Sequence, residues 1–160
     1  LASQGKINYD LLNQLLSNKY IKKKPPKSTG REEFGLNMLN SIMSDFPSIN
    51  NFDFLRTLVR FTAESIIFNL KYINIKSFKD STLIISGGGI NHKLLIHDIK
   101  ESSNFYKIIK SDKVGINSDN KEAFLMCVLG VGRFIRLNTN IPNVTGASEF
   151  VSCGDIYDKL

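Results

Sequence analysis

Hydrophobic positions follow a helical rhythm through the first 72 residues and then change character. From Asn8 to Leu16, leucine pairs recur at four residues behind Asn8, a suitable N-cap, which predicts a short amphipathic helix. Pro25-Pro26 ends that region in an extended loop. Thr29 and Glu32 have capping-box spacing. A helix is expected after them, with Leu39, Ile42 and Met43 on its buried side and a stop by Pro47. A longer helix is predicted from about Asn51 to Tyr72, where Leu55, Leu58, Val59, Thr62, Ile66 and Leu70 form one stripe.

Thr82-Leu83-Ile84-Ile85-Ser86 is instead a continuous run rich in β-branched residues and bounded by glycine, the pattern of a buried parallel strand. Asn91 to Lys100 can form a helix with Leu94, Leu95 and Ile99 inside, and Phe105 to Ile109 reads as the next strand. Lys121 to Arg136 is apolar on almost every face, which predicts a helix buried between layers. Strand, helix, strand, helix implies a right-handed crossover and a parallel pair. Asn138 to Leu160 is turn-rich, with a short terminal strand expected. The class is α/β, with helices heavily represented.

Composition narrows the function classes. The 160 residues suit one domain with a real core, and 42% are hydrophobic, ordinary for a globular chain. The sequence begins at Leu1 and reads as part of a longer polypeptide. No apolar run is long enough to span a bilayer, and no secretory pattern opens the chain, so neither membrane nor export is expected. Cys127 and Cys153 are read as free thiols, and with His92 and His97 they fit no zinc spacing, so no metal ligand set is assigned. The net charge of +6 is concentrated in Lys19 to Lys27. A short basic, proline-bearing loop is more often a solvated surface than a nucleic-acid site, and no nucleic-acid partner is expected.

Gly87-Gly88-Gly89, after a strand and before a helix, is the most informative local feature. Glycine lets backbone approach a ligand, and a helix start offers free N–H groups, so the phosphate or adenosine end of ATP would fit there. A tight turn without ligand is the plain alternative. The run G-x-G-x-x-H, ending at His92, lacks the third glycine of the dinucleotide fingerprint. Lys27-Ser28-Thr29 resembles the end of a Walker loop, but Pro25 and Pro26 stand where its glycines belong. Gly130 and Gly132 suit close helix packing. Asp119 and Glu122 again have capping-box spacing, so Glu122 alone reads as a capping carboxylate.

Taken together, these segments resemble the C-terminal half of the anhydro-N-acetylmuramic acid kinase family over nearly the whole chain. The resemblance is carried by Leu1 to Ile7 with its Gly5-Lys6, by Pro25-Pro26-Lys27-Ser28-Thr29-Gly30-Arg31-Glu32 with Phe34, and by Leu58 through Phe61-Thr62-Ala63-Glu64-Ser65-Ile66. Ile85 to Gly89, Gly115-Ile116 leading to Lys121-Glu122-Ala123-Phe124, and Pro142 to Ala147 continue it in order. Two departures stand out: His92-Lys93 replaces a usual Asn-Pro, and Cys153-Gly154 replaces Leu-Gly.

The resemblance implies one lobe of an actin–hexokinase–heat-shock type, ribonuclease-H-like kinase fold, with residues 1–160 as the C-terminal lobe and the N-terminal lobe of the same protein as its partner. It implies ATP and Mg²⁺ as cofactors and anhydro-N-acetylmuramic acid as substrate. The reaction would open the anhydro bridge hydrolytically and phosphorylate the sugar, in cytoplasmic peptidoglycan recycling. A homodimer is left open. Gly87, Gly88, Gly89 and His92 would face the nucleotide, and Glu122 would support catalysis beside a main base outside this chain. The competing reading is a non-catalytic, nucleotide-binding kinase-like module.

Overall fold

The computed structural model describes residues 1–73, 76–105 and 107–157. Seven α-helices and two strands are formed among them: α1 (Tyr9–Leu16), α2 (Lys19–Lys22), α3 (Leu36–Asp45), α4 (Asn51–Leu70), β1 (Thr82–Ile85), α5 (Lys93–Ser102), β2 (Lys107–Lys110), α6 (Lys121–Phe134) and α7 (Pro142–Thr145). The architecture is mixed α/β, rich in helix, with one small parallel sheet.

The first region closes around its own core. Asn8 caps α1 as expected, its side chain accepting from the Leu11 N–H at 3.0 Å. The leucine face of α1 then buries Leu11, Leu12 and Leu15 with Ile21, Ile42 and Phe61. Phe34 seals the cluster, edge-on to Tyr20 and tilted against Phe61. Gly5 lets the entering chain press on the start of α4, since a Cβ there would collide with the Phe52 carbonyl. Just beyond it, the Lys6 N–H donates to Asp53 at 2.6 Å.

Three expectations for this region are corrected. Thr29 and Glu32 form no capping box; α3 begins later, after Gly35, because residues 31–35 turn tightly enough to bring Phe34 into the core. Met43 is exposed, and Ile42 alone of α3 is fully buried. The buried residues of α4 are Thr57, Phe61 and Ala63, while Leu55, Thr62 and Ile66 look outward. The reason is that α4 is packed on two sides, against α1 and against α5. Thr57 belongs inside because its hydroxyl accepts from the Asn8 N–H and donates to the Asp53 carbonyl.

The lysines of the basic tract are exposed as expected, except Lys27. Lys22 to Lys24 are exposed, but the Lys27 ammonium donates to the carbonyls of Tyr20 and Ile21 at 3.1 and 3.2 Å and lies over the Tyr20 ring. Burial, with Lys23 and Lys71 nearby, pushes its pKa below the ordinary lysine value. Pro25-Pro26 carries a cis bond, and Pro26 meets Gly146, so the proline run and the closing loop come together.

In the second region β1 and β2 pair in parallel, Thr82 opposite Lys107 through Ile85 opposite Lys110, with α5 as the crossover. The expected strand from Phe105 begins at Lys107, and Tyr106 lies outside the described residues. A bidentate pair fastens this unit to the first region. Arg56 on α4 donates to both oxygens of Asp98 on α5, at 2.6 and 2.9 Å, and Asp98 is 1% exposed.

The expectation for α6 is overturned. Phe124, Leu125, Met126, Val128, Val131 and Phe134 are all exposed, and Gly132 is its one buried residue. Among the described residues no layer covers it; only the closing segment folds back on one side, where Leu137 bonds to Gly132 and Asp155 faces Arg133. The strand expected near the C-terminus is not formed in residues 138–157, where the α7 turn is found.

Candidate nucleotide-facing site at the strand ends

Parallel strands carried by crossovers present their connecting loops on one edge, outside the carboxyl ends, where α/β proteins bind ligands. Here two loops meet on that edge. The first leaves β1 through Ser86 and Gly87. Gly87 has φ of +88°, a conformation that side chains disfavour, and the chain then makes a 3-10 turn over Gly88–Asn91 with Ile90 pinned inside. Gly88 has open space where a Cβ would be, and Gly89 only ordinary contact with Leu95. The turn therefore leaves room beside the backbone, as a ligand-facing loop requires.

His92 ends this turn and starts α5. Its Nδ1 accepts from the Leu95 N–H at 3.1 Å, so it serves as the N-cap of the helix. Capping occupies one ring nitrogen and leaves Nε2 for another partner. His97 is a separate, exposed residue on the same helix.

The second loop leaves β2 into a 3-10 turn, Ser111–Val114, ending at Gly115 in the left-handed region. Ser111 and Ser118 are buried and hydrogen-bonded to each other. Ser118 also donates to Asp112, which holds that carboxyl below the usual aspartate range. Asn117 then accepts from the N–H groups of Asp119 and Asn120, and α6 begins at Lys121. No side chain caps α6, so the reciprocal bond expected between Asp119 and Glu122 is not formed. Glu122 is exposed at the first turn of α6, 3.5 Å from the Lys121 ammonium.

The loops approach each other through Lys121. A Cβ built on Gly87 would lie 3.8 Å from the Lys121 Nζ. Gly87 and the Lys121–Glu122 pair thus share one edge, and sequence reasoning missed Lys121 there. The signal was its place beside Glu122 at the start of a helix following a parallel strand. Several clefts lie elsewhere among the described residues. One of about 520 Å³ is lined by Tyr20, Phe34, Met38, Leu58 and Phe61, and one of about 480 Å³ by Tyr20, Lys27, Tyr72 and Asn143.

The donor set at the strand ends suits phosphate better than metal. Exposed backbone and an ammonium match an anion. Glu122 is a single carboxylate, and no group of three or more metal-ligating side chains occurs among the described residues. Mg²⁺ ordinarily takes one or two carboxylates beside phosphate oxygens and water, and Glu122 offers one. No described helix is long and apolar enough to cross a membrane.

The family model for anhydro-N-acetylmuramic acid kinase matches residues 1–159. Among curated relatives, the anhydro-N-acetylmuramic acid kinase of Clostridioides difficile (strain 630) is 37% identical over 158 residues, covering 99% of this chain and 41% of the relative. That of Caldanaerobacter subterraneus subsp. tengcongensis is 35% identical over 158 residues, covering 98% and 40%. That of Francisella tularensis subsp. novicida (strain U112) is 37% identical over 155 residues, covering 97% and 40%. The chain spans about two fifths of the length of these relatives. With the family model matched from residue 1 to 159, this chain belongs to the anhydro-N-acetylmuramic acid kinase family.

Proposed function

We propose that this chain forms the C-terminal part of an ATP-dependent anhydro-N-acetylmuramic acid kinase. It would contribute one wall of the cleft, as a ribonuclease-H-like lobe of a cytoplasmic enzyme that opens the anhydro bridge and phosphorylates the sugar. The observation that carries the reading is the meeting of the Gly87–Gly89 turn with the start of α6 at the carboxyl ends of two parallel strands. Family membership supports the substrate and the use of ATP.

In this reading Gly88 and Gly89 let the nucleotide approach the backbone, and His92 holds the turn by capping α5 while its free nitrogen faces the ligand. Glu122 supplies a negative charge at the cleft, beside a base supplied from outside this chain. ATP brings the phosphoryl group to be transferred. A Mg²⁺ accompanying it would rest on phosphate oxygens, water and groups beyond the residues described.

Other features support a larger assembly. A two-stranded sheet is marginal alone, parallel sheets are ordinarily covered on both faces, and α6 exposes apolar side chains around its circumference. The remaining three fifths of the relatives' length is the natural source of that cover.

Gly88→Val tests the site, because Gly88 has normal φ and open space, so the fold tolerates the side chain. In the complete enzyme this variant is expected to raise the ATP requirement far more than the sugar requirement. Unchanged ATP dependence in a folded variant would make the turn purely structural.

A further inference from the structure

We infer that Lys121 is the ammonium that receives the phosphate end of the nucleotide at the Gly87–Gly89 turn. This rests on the nucleotide reading of that turn and adds the residue that recognises charge there. Lys121 stands on the second loop, yet its Nζ lies 3.8 Å from the position a Gly87 Cβ would take. It therefore overhangs the glycine of this turn whose backbone has positive φ, beside the open space at Gly88.

Its present partner does not satisfy it. Glu122 is 3.5 Å away, and the two side chains are 47% and 74% exposed, so the pair is screened by water. An ammonium has three donors, and phosphate oxygens offer stronger, charge-assisted acceptors. The hydroxyl of Ser86, next to Gly87, is buried with no hydrogen-bond partner among the described residues, a second polar group left unsatisfied at this edge.

The arrangement has a consequence for Glu122. Phosphate and the Glu122 carboxylate compete for one ammonium. A bound nucleotide draws Lys121 away and leaves the carboxylate free to act on the sugar side. Removing the Glu122 charge should therefore strengthen phosphate binding, whereas removing the Lys121 charge should weaken it.

Calorimetric titration of the complete enzyme that carries this chain, with ADP and with adenosine, separates phosphate recognition from base recognition, with circular dichroism confirming that each variant is folded. ADP is expected to bind about tenfold more tightly than adenosine, the size of one charge-assisted contact. Lys121→Gln should erase that preference and leave adenosine affinity unchanged. Lys121→Arg should retain part of it, and Glu122→Gln should tighten ADP about two- to threefold, as expected for losing an exposed ion pair. A folded Lys121→Gln variant with the full ADP preference overturns the role of Lys121 while leaving the nucleotide site standing. Equal loss of adenosine and ADP also overturns it, because Lys121 would then shape the turn and not read phosphate. Failure of the unaltered complete enzyme to bind either ligand removes both the nucleotide site and the inference built on it.

Discussion

Helices α1 and α6 are both rich in apolar residues, and they end in opposite environments. In eight residues α1 buries Leu11, Leu12 and Leu15, because its leucines share one face and α4 lies against that face. In fourteen residues α6 buries only Gly132, although Phe124, Leu125, Met126, Val128, Val131 and Phe134 surround it. The difference lies in what each sequence asks for. A one-sided helix is satisfied by one neighbour, whereas a helix apolar all round needs cover on every side. The first region supplies its own cover from α1 to α4. The second, built on two strands, leaves its last helix open. An apolar helix therefore says how much cover it needs and not where that cover comes from.

The contrast is tested most severely at the Arg56–Asp98 clamp that joins the two regions. Asp98→Ala would leave the Arg56 guanidinium mostly buried and unpaired, at a cost of about 3–5 kcal/mol. Val131→Ser on the open face of α6 should cost under about 0.5 kcal/mol in the same chain, as expected for an exposed position. Urea unfolding of both variants measures the difference. A loss under about 1 kcal/mol for Asp98→Ala would show that the clamp does not hold the regions together, by the scale for a broken buried pair. A loss for Val131→Ser that rivals it would show that α6 is covered after all.

A smaller effect sharpens the same contrast. Asn8 caps α1 with its side chain, whereas no side chain caps α6. Asn8→Ala should lower stability by about 1 kcal/mol. Asn120→Ala, at the position before α6, should leave stability within about 0.5 kcal/mol. Equal losses at the two positions would erase the distinction between a helix fixed locally and one awaiting a partner.

Much of the fold was legible because it rests on local chemistry. Asn8 as a cap, the start of α4 at Asn51, and the parallel character of Thr82–Ile85 follow from residue types and period. The errors arose where tertiary contacts override local pattern. Glu32 and Glu122 have capping-box spacing, yet neither forms a box, because the turns before them place the chain otherwise. Thr57 gave no apolar signal, and it is buried through two hydrogen bonds that only the fold brings together. At the site the Gly87–Gly89 turn was visible as glycine after a strand. Lys121 was not, because nothing local says that a residue 34 positions later, by the numbering, returns to Gly87. The capping role of His92 was likewise hidden by the departure from the family's usual Asn-Pro.

The most direct measurement is catalysis by a chimera in which this chain replaces the matching 41% of the Clostridioides difficile relative. Phosphorylation of anhydro-N-acetylmuramic acid with ATP would be followed, with thermal unfolding to confirm a folded enzyme. The chimera is expected to turn over, and this chain alone is not. Glu122→Gln in the chimera is expected to lower kcat at least about tenfold with little change in melting temperature, as for loss of a catalytic polar group. A folded chimera without activity, turnover by the isolated chain, or full kcat in the Glu122→Gln variant would contradict the assignment of this chain as the cleft wall that carries Glu122.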